Sequence, residues 1–437
     1  MKISVIGCGY LGAVHAVAMA ELGHQVVGVD VDAHRISELN SGRVPFYEPQ
    51  VAQILSLALA RGRVAFSTDI AAVAGSRVHF LAVGTPQRPN SQAADLAAVD
   101  AAVGALIPHL RPGDLVVGKS TVPVGTAAAL AARLSAECPG VMLAWNPEFL
   151  KEGSAVKDTI SPDRIVYGLP PGGDAEVARA YLDDVYARAV DDGTPVVVTD
   201  YQTAELSKVA ANAFLATKIS FINAMAEIAE VVDADVTKLA DAIGHDGRIG
   251  RKFLNAGVGF GGGCLPKDIR AFTARAEELG CGESVSFLKA VDAINVRQRQ
   301  RVVDLVVALL GGEIYQKRVA ILGLSFKPDS DDIRDSPALD VAVQLKGLGA
   351  DVVAVDPQAI SHAMRKHPQL TFTENVATAL DGAHATVLVT EWKTFTELDP
   401  TWAASLVRRP IIVDARNCLD RQAWRSAGWV YRGIGRN

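Results

Sequence analysis

The chain has 437 residues, 49% of them hydrophobic and 21% charged, with a formal net charge of −6. That length exceeds one ordinary core and predicts about two to three domains of a globular enzyme. A mildly acidic balance without a Lys/Arg stripe argues against nucleic acid as the main partner. The cysteines (Cys8, Cys138, Cys264, Cys281 and Cys418) are odd in number and lack CxxC spacing, and the histidines show no ligand spacing. Neither a disulfide framework nor a metal site is expected. The stretch AVAMA near the N-terminus only loosely imitates a signal peptide, and no run reaches the roughly 18 uninterrupted apolar residues of a membrane span. The expected location is the cytoplasm, with no membrane partner.

In chain order, KISVIG, GYLG, an Ala-rich stretch to Leu22 and HQVVGVD read as strand, turn, helix, strand. Apolar strands follow at VHFLAVGTP (78–86), DLVVGKST (114–121), VMLAWNPEF (141–149) and RIVYGL (164–169), then the loop PPGGD and a last strand, PVVVTD, ending near Asp200. Strands alternating with helical stretches predict a parallel α/β sheet. From Gln202 to about Val232 no Gly or Pro interrupts a helical period, so one helix of about 30 residues, roughly 45 Å long, is expected as a spine and dimer interface. A second long helix is expected from about Ser284 to Leu310. From Arg318 the α/β pattern returns with RVAILGLSF, a helix from about Pro337, DVVAVDP, ATVLVT and PIIVDAR. The expected fold class is α/β: two Rossmann-like doubly wound domains, 1–200 and 313–437, joined by a helical region, 201–312, that carries the long central helix.

GCGYLG follows the first strand and opens a helix. In such a turn Gly7 allows the tight bend, Gly9 lets backbone approach a pyrophosphate, and Gly12 lets helix and strand pack closely. Asp30 ends the second strand, placed to accept hydrogen bonds from ribose hydroxyls, and an acid there favours NAD over NADP. VGTP, STVPVGT and NPEFLKEG fall at the carboxyl ends of later strands, where open α/β sheets bind ligands. Lys208 and Asn212, four residues apart, share one face of the long helix. With Lys218 and Asn223 they equally suit a solubilising outer face.

GVGFGGGCLPKD, Gly257–Asp268, sets Cys264 after three glycines. A thiol pKa near 8.5 is lowered by cations or a helix N-terminus, and Lys267 and the helix start implied by Lys-Asp-Ile-Arg suit both. The glycines are read as room for a bulky substrate beside a nucleophilic thiol, and Cys8, Cys138, Cys281 and Cys418 as small buried core residues. LGLSFKPDSDDIRDSP, 322–337, lacks GxGxxG and offers Lys327 and Arg334 to a diphosphate instead. An NAD site with a nucleophilic cysteine points to aldehyde-level chemistry through a thiohemiacetal and a thioester.

GYLG, STVPVGT, NPEFLKEG, Lys208 with Asn212, GFGGGCLPKD and GLSFKPDSDDIRDSP occur in the order seen in the UDP-glucose/GDP-mannose dehydrogenase family, which the chain resembles over nearly its whole length. The resemblance implies a four-electron oxidation of a sugar C6 alcohol to a carboxylate with two NAD⁺, a nucleotide-sugar substrate and a homodimer built on the long helix. It casts Cys264 as nucleophile, Lys208 and Asp268 as the pair that stabilises an oxyanion and orders water, and Thr121, Glu148 and Glu152 as neighbours of the reacting carbon, with either glutamate as base. It places Tyr10, Leu11, Asp30, Arg35, Thr85, Thr121, Glu152, Lys267 and Arg334 against NAD. Phe149, Leu150, Lys151, Glu152, Lys208, Asn212, Phe253, Leu254, Asn255, Ala256, Gly257, Gly261, Lys327 and Arg416 fall where it holds the nucleotide sugar. Arg248, in GRIGRKFL, resembles an arginine that reaches a neighbouring subunit's site. That stretch favours UDP-glucose; CLPKD keeps GDP-mannose as runner-up, with UDP-N-acetyl sugars third. Gly263 stands where the family has serine, and Asn223-Ala224 where it has Asn-Glu. Two rivals remain weaker: a two-electron hydroxyacid-type dehydrogenase needs neither cysteine nor third domain, and a non-catalytic sensor needs neither cysteine nor lysine.

Overall fold

The computed structural model describes residues 1–436. Its first compact unit comprises Met1–Ala211 with Ala274–Gly280; the second comprises Asn212–Thr273 and the described chain from Cys281 onward.

The first unit is built on β1 (Lys2–Ile6), β2 (Gln25–Val29), β3 (Val64–Ser67), β4 (Val78–Leu81), β5 (Leu115–Gly118), β6 (Met142–Trp145), β7 (Ile165–Gly168) and β8 (Val196–Thr199), in the order β3-β2-β1-β4-β5-β6-β7-β8. The strands β4 to β7 are buried along their whole length, as continuous apolar runs in a sheet covered on both faces should be. One expectation needs correcting: β7 pairs with β6 antiparallel, through Trp145 opposite Gly168, and β8 then runs parallel to β7. Only the first six strands form the parallel doubly wound sheet. Its order reverses between β1 and β4, so a crevice opens at the carboxyl ends of those strands.

The second unit carries β9 (Arg318–Leu322), β10 (Asp351–Val355), β11 (Thr371–Thr373), β12 (Ala385–Leu388), β13 (Ile411–Asp414) and β14 (Val430–Gly433), all parallel, in the order β11-β10-β9-β12-β13-β14. This repeats the order of the first six strands of the other sheet, and the likeness reaches single hydrogen bonds. Gly7 N–H donates to Val29 O at 2.8 Å and Gly323 N–H to Val355 O at 2.9 Å. Cys8 N–H donates to Asp30 and Leu324 N–H to Asp356, both at 2.7 Å. The acids then diverge. Asp356 is saturated by Ser325, Trp392, Gln358 and Ala359, so it has no capacity left for a ribose.

The spine helix runs Tyr201–Val231, one residue earlier than expected, and the second long helix Phe287–Leu309. By length and a mean hydropathy of 1.3 over its most apolar window, the spine meets the composition of a membrane span. Its polar residues argue instead for a core helix: Glu205, Lys208, Asn212, Ser220 and Asn223 are buried in protein. Tyr201 and Ala204 belong to a core of the first unit, and Ile222, Ala226 and Ala229 to the core of the second.

Candidate active site

In the first unit, the helix Tyr10–Glu21 starts at Gly9, which no side chain caps. A methyl group added at Gly9 would meet nothing within 4 Å, whereas one at Gly12 would overlap the Gly7 carbonyl. Gly9 thus exposes backbone to open space, Gly12 permits close helix–strand packing, and the helix N-terminus favours an anion. Asp30 accepts from Asp32 N–H at 3.0 Å and pairs with Arg35 at 2.9 Å. Arg35 is one-third exposed, whereas Asp30 is buried. This donor and acceptor set fits the phosphates and ribose of NAD.

The neighbouring loops are fastened to one another. Thr85 donates its hydroxyl to Thr121 O at 2.7 Å. Glu205, buried on the spine helix, accepts from Gly125 and Ala127 N–H at 2.7 and 2.6 Å and so holds the start of the helix Thr126–Glu137. Glu148 accepts from Leu150 N–H at 2.8 Å and pairs with Lys119 at 3.1 Å. The Phe149 ring has the Arg164 guanidinium 3.7 Å from its centroid and the Lys208 ammonium at 5.4 Å. Lys151 pairs with Asp158 at 2.8 Å on the surface, and Glu152 is half-buried beside it. Glu48 was not singled out in the sequence. It accepts from Tyr10 hydroxyl, Gly153 N–H and Ala155 N–H at 2.5, 2.6 and 2.8 Å, tying the Gly-rich turn to the end of NPEFLKEG.

In the second unit, Cys264 is exposed and stands at the N-cap of the helix Leu265–Glu278, its carbonyl accepting Asp268 N–H at 2.9 Å. Asp268 is buried between Lys267 Nζ at 2.7 Å and Asn212 Nδ2 at 2.7 Å. The role read for the glycines changes here. A side chain at Gly261 would overlap the Asp335 carbonyl, at Gly262 it would come within 2.8 Å of the Phe326 ring, and at Gly263 it would overlap the Arg334 guanidinium. Gly262 N–H also donates to Arg334 O at 2.8 Å. The bare stretch makes room for the protein's own 326–335 loop, which braces the thiol turn.

The helices of this unit hold the same turn by buried amides. Asn223 accepts from Gly257 N–H at 2.8 Å, and Asn295 exchanges hydrogen bonds with both backbone groups of Phe260 at 2.7 and 3.0 Å. Arg299 pairs with Asp335 at 2.8 Å and with Asp340. Of the two readings of the helix, the solvated outer face is therefore overturned for Lys208, Asn212 and Asn223, since all three are buried. Leu254 and Ala256 are also buried, Phe253 has a positive φ of 66°, and Asn417 donates to Ala256 O at 3.1 Å. Asn255 accepts from Arg251 at 2.7 Å. Arg416 donates to the carbonyls of Val389, Gly259 and Phe326 at 2.7, 3.0 and 2.9 Å, stitching three loops together. Lys327 lies 5.7 Å from the Phe326 ring centroid, and Arg334 pairs with Asp332 at 2.7 Å.

The other cysteines depart in part from the core reading: Cys8 is buried, Cys138 and Cys418 are half-buried, and Cys281 is exposed. Burial and the Asp30 carboxylate push the Cys8 thiol up; burial and Asp414 do the same for Cys418.

Two Rossmann-like sheets, one with an open dinucleotide turn, and a braced exposed thiol define the class: an NAD-dependent dehydrogenase with a second nucleotide-binding domain. The NAD binding, central and UDP binding domains of the UDP-glucose/GDP-mannose dehydrogenase family match residues 1–190, 202–297 and 320–421. The chain belongs to that family. It is 41% identical to a UDP-glucose 6-dehydrogenase of Rhizobium meliloti (strain 1021), covering 100% of both chains. It is 39% identical to UDP-glucose 6-dehydrogenase TuaD of Bacillus subtilis (strain 168), covering 100% of this chain and 93% of TuaD. The solved UDP-glucose dehydrogenase of Pyrobaculum islandicum superposes with a TM-score of 0.89 at 39% identity, over 100% of this chain and 98% of that one.

Proposed function

We propose that the chain oxidises the C6 alcohol of UDP-glucose to the carboxylate of UDP-glucuronate in the cytoplasm. The observation that carries this reading is the Cys264 turn: an exposed thiol at a helix N-terminus, with Asp268 one turn along and bonded to Asn212. The names of the relatives support the substrate. NAD is assigned to residues 1–200, the UDP group to 313–437 with Lys327, and the thiol to 201–312.

NAD, when bound, supplies the hydride acceptor for both two-electron oxidations. The first oxidation makes an aldehyde and needs no thiol. The helix start favours the Cys264 thiolate, which adds to the aldehyde carbon with uptake of a proton, giving a thiohemiacetal. Loss of a hydride and a proton leaves a thioester. Water then cleaves the C–S bond, releasing the acid and returning the thiol. Asp268, held between Lys267 and Asn212, serves to orient that water, and Lys208 serves the oxyanion. Thr121, Glu148 and Glu152 line the reacting carbon. The test is a stoichiometry: two NADH are expected per UDP-glucose consumed, with GDP-mannose and a UDP-N-acetylhexosamine turned over far more slowly. One NADH per sugar would end the four-electron reading, and faster turnover of GDP-mannose would replace the substrate.

The working form is a dimer of two copies packed through the spine helix. Phe214, Phe221 and Ile228 are exposed at exact seven-residue spacing, with Val231 and Val232 following, a stripe that suits a helix of a second copy. Lys218 on the same helix donates to Ile249 O and Gly250 O, both at 2.9 Å, fastening the loop that bears Arg248. That side chain is 89% exposed and pairs locally with Asp246 at 2.6 Å, so it is available to a partner's nucleotide sugar. Phe221→Glu is expected to give a monomer by sedimentation and to lose activity with it. A dimer that survives the charge places the interface elsewhere.

A further inference from the structure

We propose that Lys119 is a positioning residue of this reaction: buried beneath the Asn146–Glu152 loop, its ammonium holds the Glu148 carboxylate, and with it the turn at Phe149–Leu150, in one arrangement. The inference rests on the proposed function only in placing Glu148 beside the reacting carbon.

Lys119 follows β5 and has a side chain that is 4% exposed. A lysine so buried requires partners for every N–H, and it has them. Its Nζ reaches Asn146 Oδ1 at 2.9 Å, Glu148 Oε2 at 3.1 Å and Tyr186 Oη at 3.2 Å. Tyr186 in turn donates to Asn146 Oδ1 at 2.6 Å, and Asn146 donates to Val166 O at 2.9 Å. The network is therefore anchored to β7. On the other side, Glu148 Oε1 accepts from Phe149 and Leu150 N–H at 2.7 and 2.8 Å. One carboxylate thus links a buried cation to the two backbone groups that shape the turn.

Space beneath the loop makes the cation matter. A cavity of about 30 Å³ is lined by Lys119, Asn146, Glu148, Asp158, Arg164 and Tyr186 among others, enough for a water molecule. Without the Lys119 ammonium, Glu148 has a polar hollow to fall into. The charges that face the pair come from several elements. Lys208 acts on Glu148 from the spine helix, and His15 faces Lys119 from the first helix, kept neutral by burial and by that lysine. Lys151 and Asp163 also line the cavity.

The titration follows from the geometry. Burial alone would raise the Glu148 carboxyl; the Lys119 charge and hydrogen bond, the Leu150 N–H and the Lys208 charge outweigh it and hold Glu148 below the ordinary carboxylate range. For Lys119, burial opposes the charge, and Glu148 and Tyr186 more than offset it. A depressed acid keeps its charge until pH falls through its low native value. Removing the lysine takes away the largest influence that opposes burial, so Glu148 protonates at higher pH.

The test is the pH dependence of kcat with UDP-glucose for wild type, Lys119→Met, Lys119→Arg and Glu148→Gln, with NAD binding and thermal melting as folding controls. Lys119→Met is expected to move the acid limb up by at least about one pH unit, a loss of about tenfold or more near pH 6 that recovers in alkali. Lys119→Arg is expected to restore the limb. In the double variant Lys119→Met/Glu148→Gln the shift should vanish, because the lysine acts through that carboxylate. Lys119→Gln gives the same direction if the methionine variant does not fold. A uniform fall in rate with an unmoved limb would reduce Lys119 to packing and overturn the inference. Glu148→Gln at the wild-type rate would instead overturn the placement of Glu148, and the inference with it.

Discussion

Cys264→Ser is expected to stop acid formation, lowering steady-state NADH production from UDP-glucose by at least about 10⁴-fold. A serine hydroxyl at this position keeps the shape of the thiol and loses its readiness to ionise, so the aldehyde is made but not captured. Any NADH then reports only the first oxidation, and reaction with an aldehyde reagent should trap the sugar at that level. Stability should hardly change, since an exposed side chain is replaced by one of similar size and such surface substitutions stay within about 0.5 kcal/mol. Cys281→Ser is the matched control. That thiol is exposed as well, but it only precedes the short turn Gly282–Val285 and has no braced glycine loop or Asp268 beside it. Acid formed by Cys264→Ser near the wild-type rate would remove the thioester from the mechanism. Equal losses in both variants would point to general thiol sensitivity instead.

The features legible in the chain were those in which chemistry and local geometry coincide. GCGYLG could be read because each glycine answers a separate steric demand within one turn. The spine helix could be read because its period runs thirty-odd residues without Gly or Pro. The reversal of β7 was not legible: an apolar strand buried on both faces reads alike in either direction, and only its pairing through Trp145 and Gly168 sets it apart. The short edge strands β3, β11 and β14 gave no strong run to find. The amides Asn223 and Asn295 and the carboxylate Glu48 were hidden for another reason. A polar residue on a helix or loop looks solvated until the backbone it satisfies is placed against it, and those backbones lie 34, 35 and 105 residues away. Lys119 did leave a signal. A lysine directly after the fully apolar β5 must either snorkel out or pair inside, and Glu148 in NPEFLKEG was the available partner. The thiol loop shows the same limit from the other side: its glycines were correctly unusual, yet the atoms that demand them, on Phe326, Arg334 and Asp335, are more than sixty residues on.

Gly9→Ala and Gly12→Ala are expected to separate what binds NAD from what builds the fold. A methyl group at Gly12 would overlap the Gly7 carbonyl and come within 3.2 Å of Ala82. The helix that carries it is buried from Gly12 to Ala20, so the whole element must shift away from β1 to admit the methyl group. Overpacking of this kind costs about 1–3 kcal/mol, here at the upper end because a backbone oxygen cannot rotate aside. For a unit of this size that lowers Tm by about 6–12 °C, and NAD binding should be lost with the turn. Gly9 sits at φ −65°, a value alanine adopts without strain, and its added methyl would touch no protein atom within 4 Å. Gly9→Ala should therefore melt with the wild type, within about 1 °C for a change of a few tenths of a kcal/mol, yet bind NAD at least about 100-fold more weakly because the methyl occupies the approach of the pyrophosphate. UDP binding, assigned to the second unit, should survive in Gly9→Ala by calorimetry. Undiminished NAD affinity in that variant would place the pyrophosphate elsewhere, and a loss of UDP binding along with NAD would contradict the assignment of the two nucleotides to separate units.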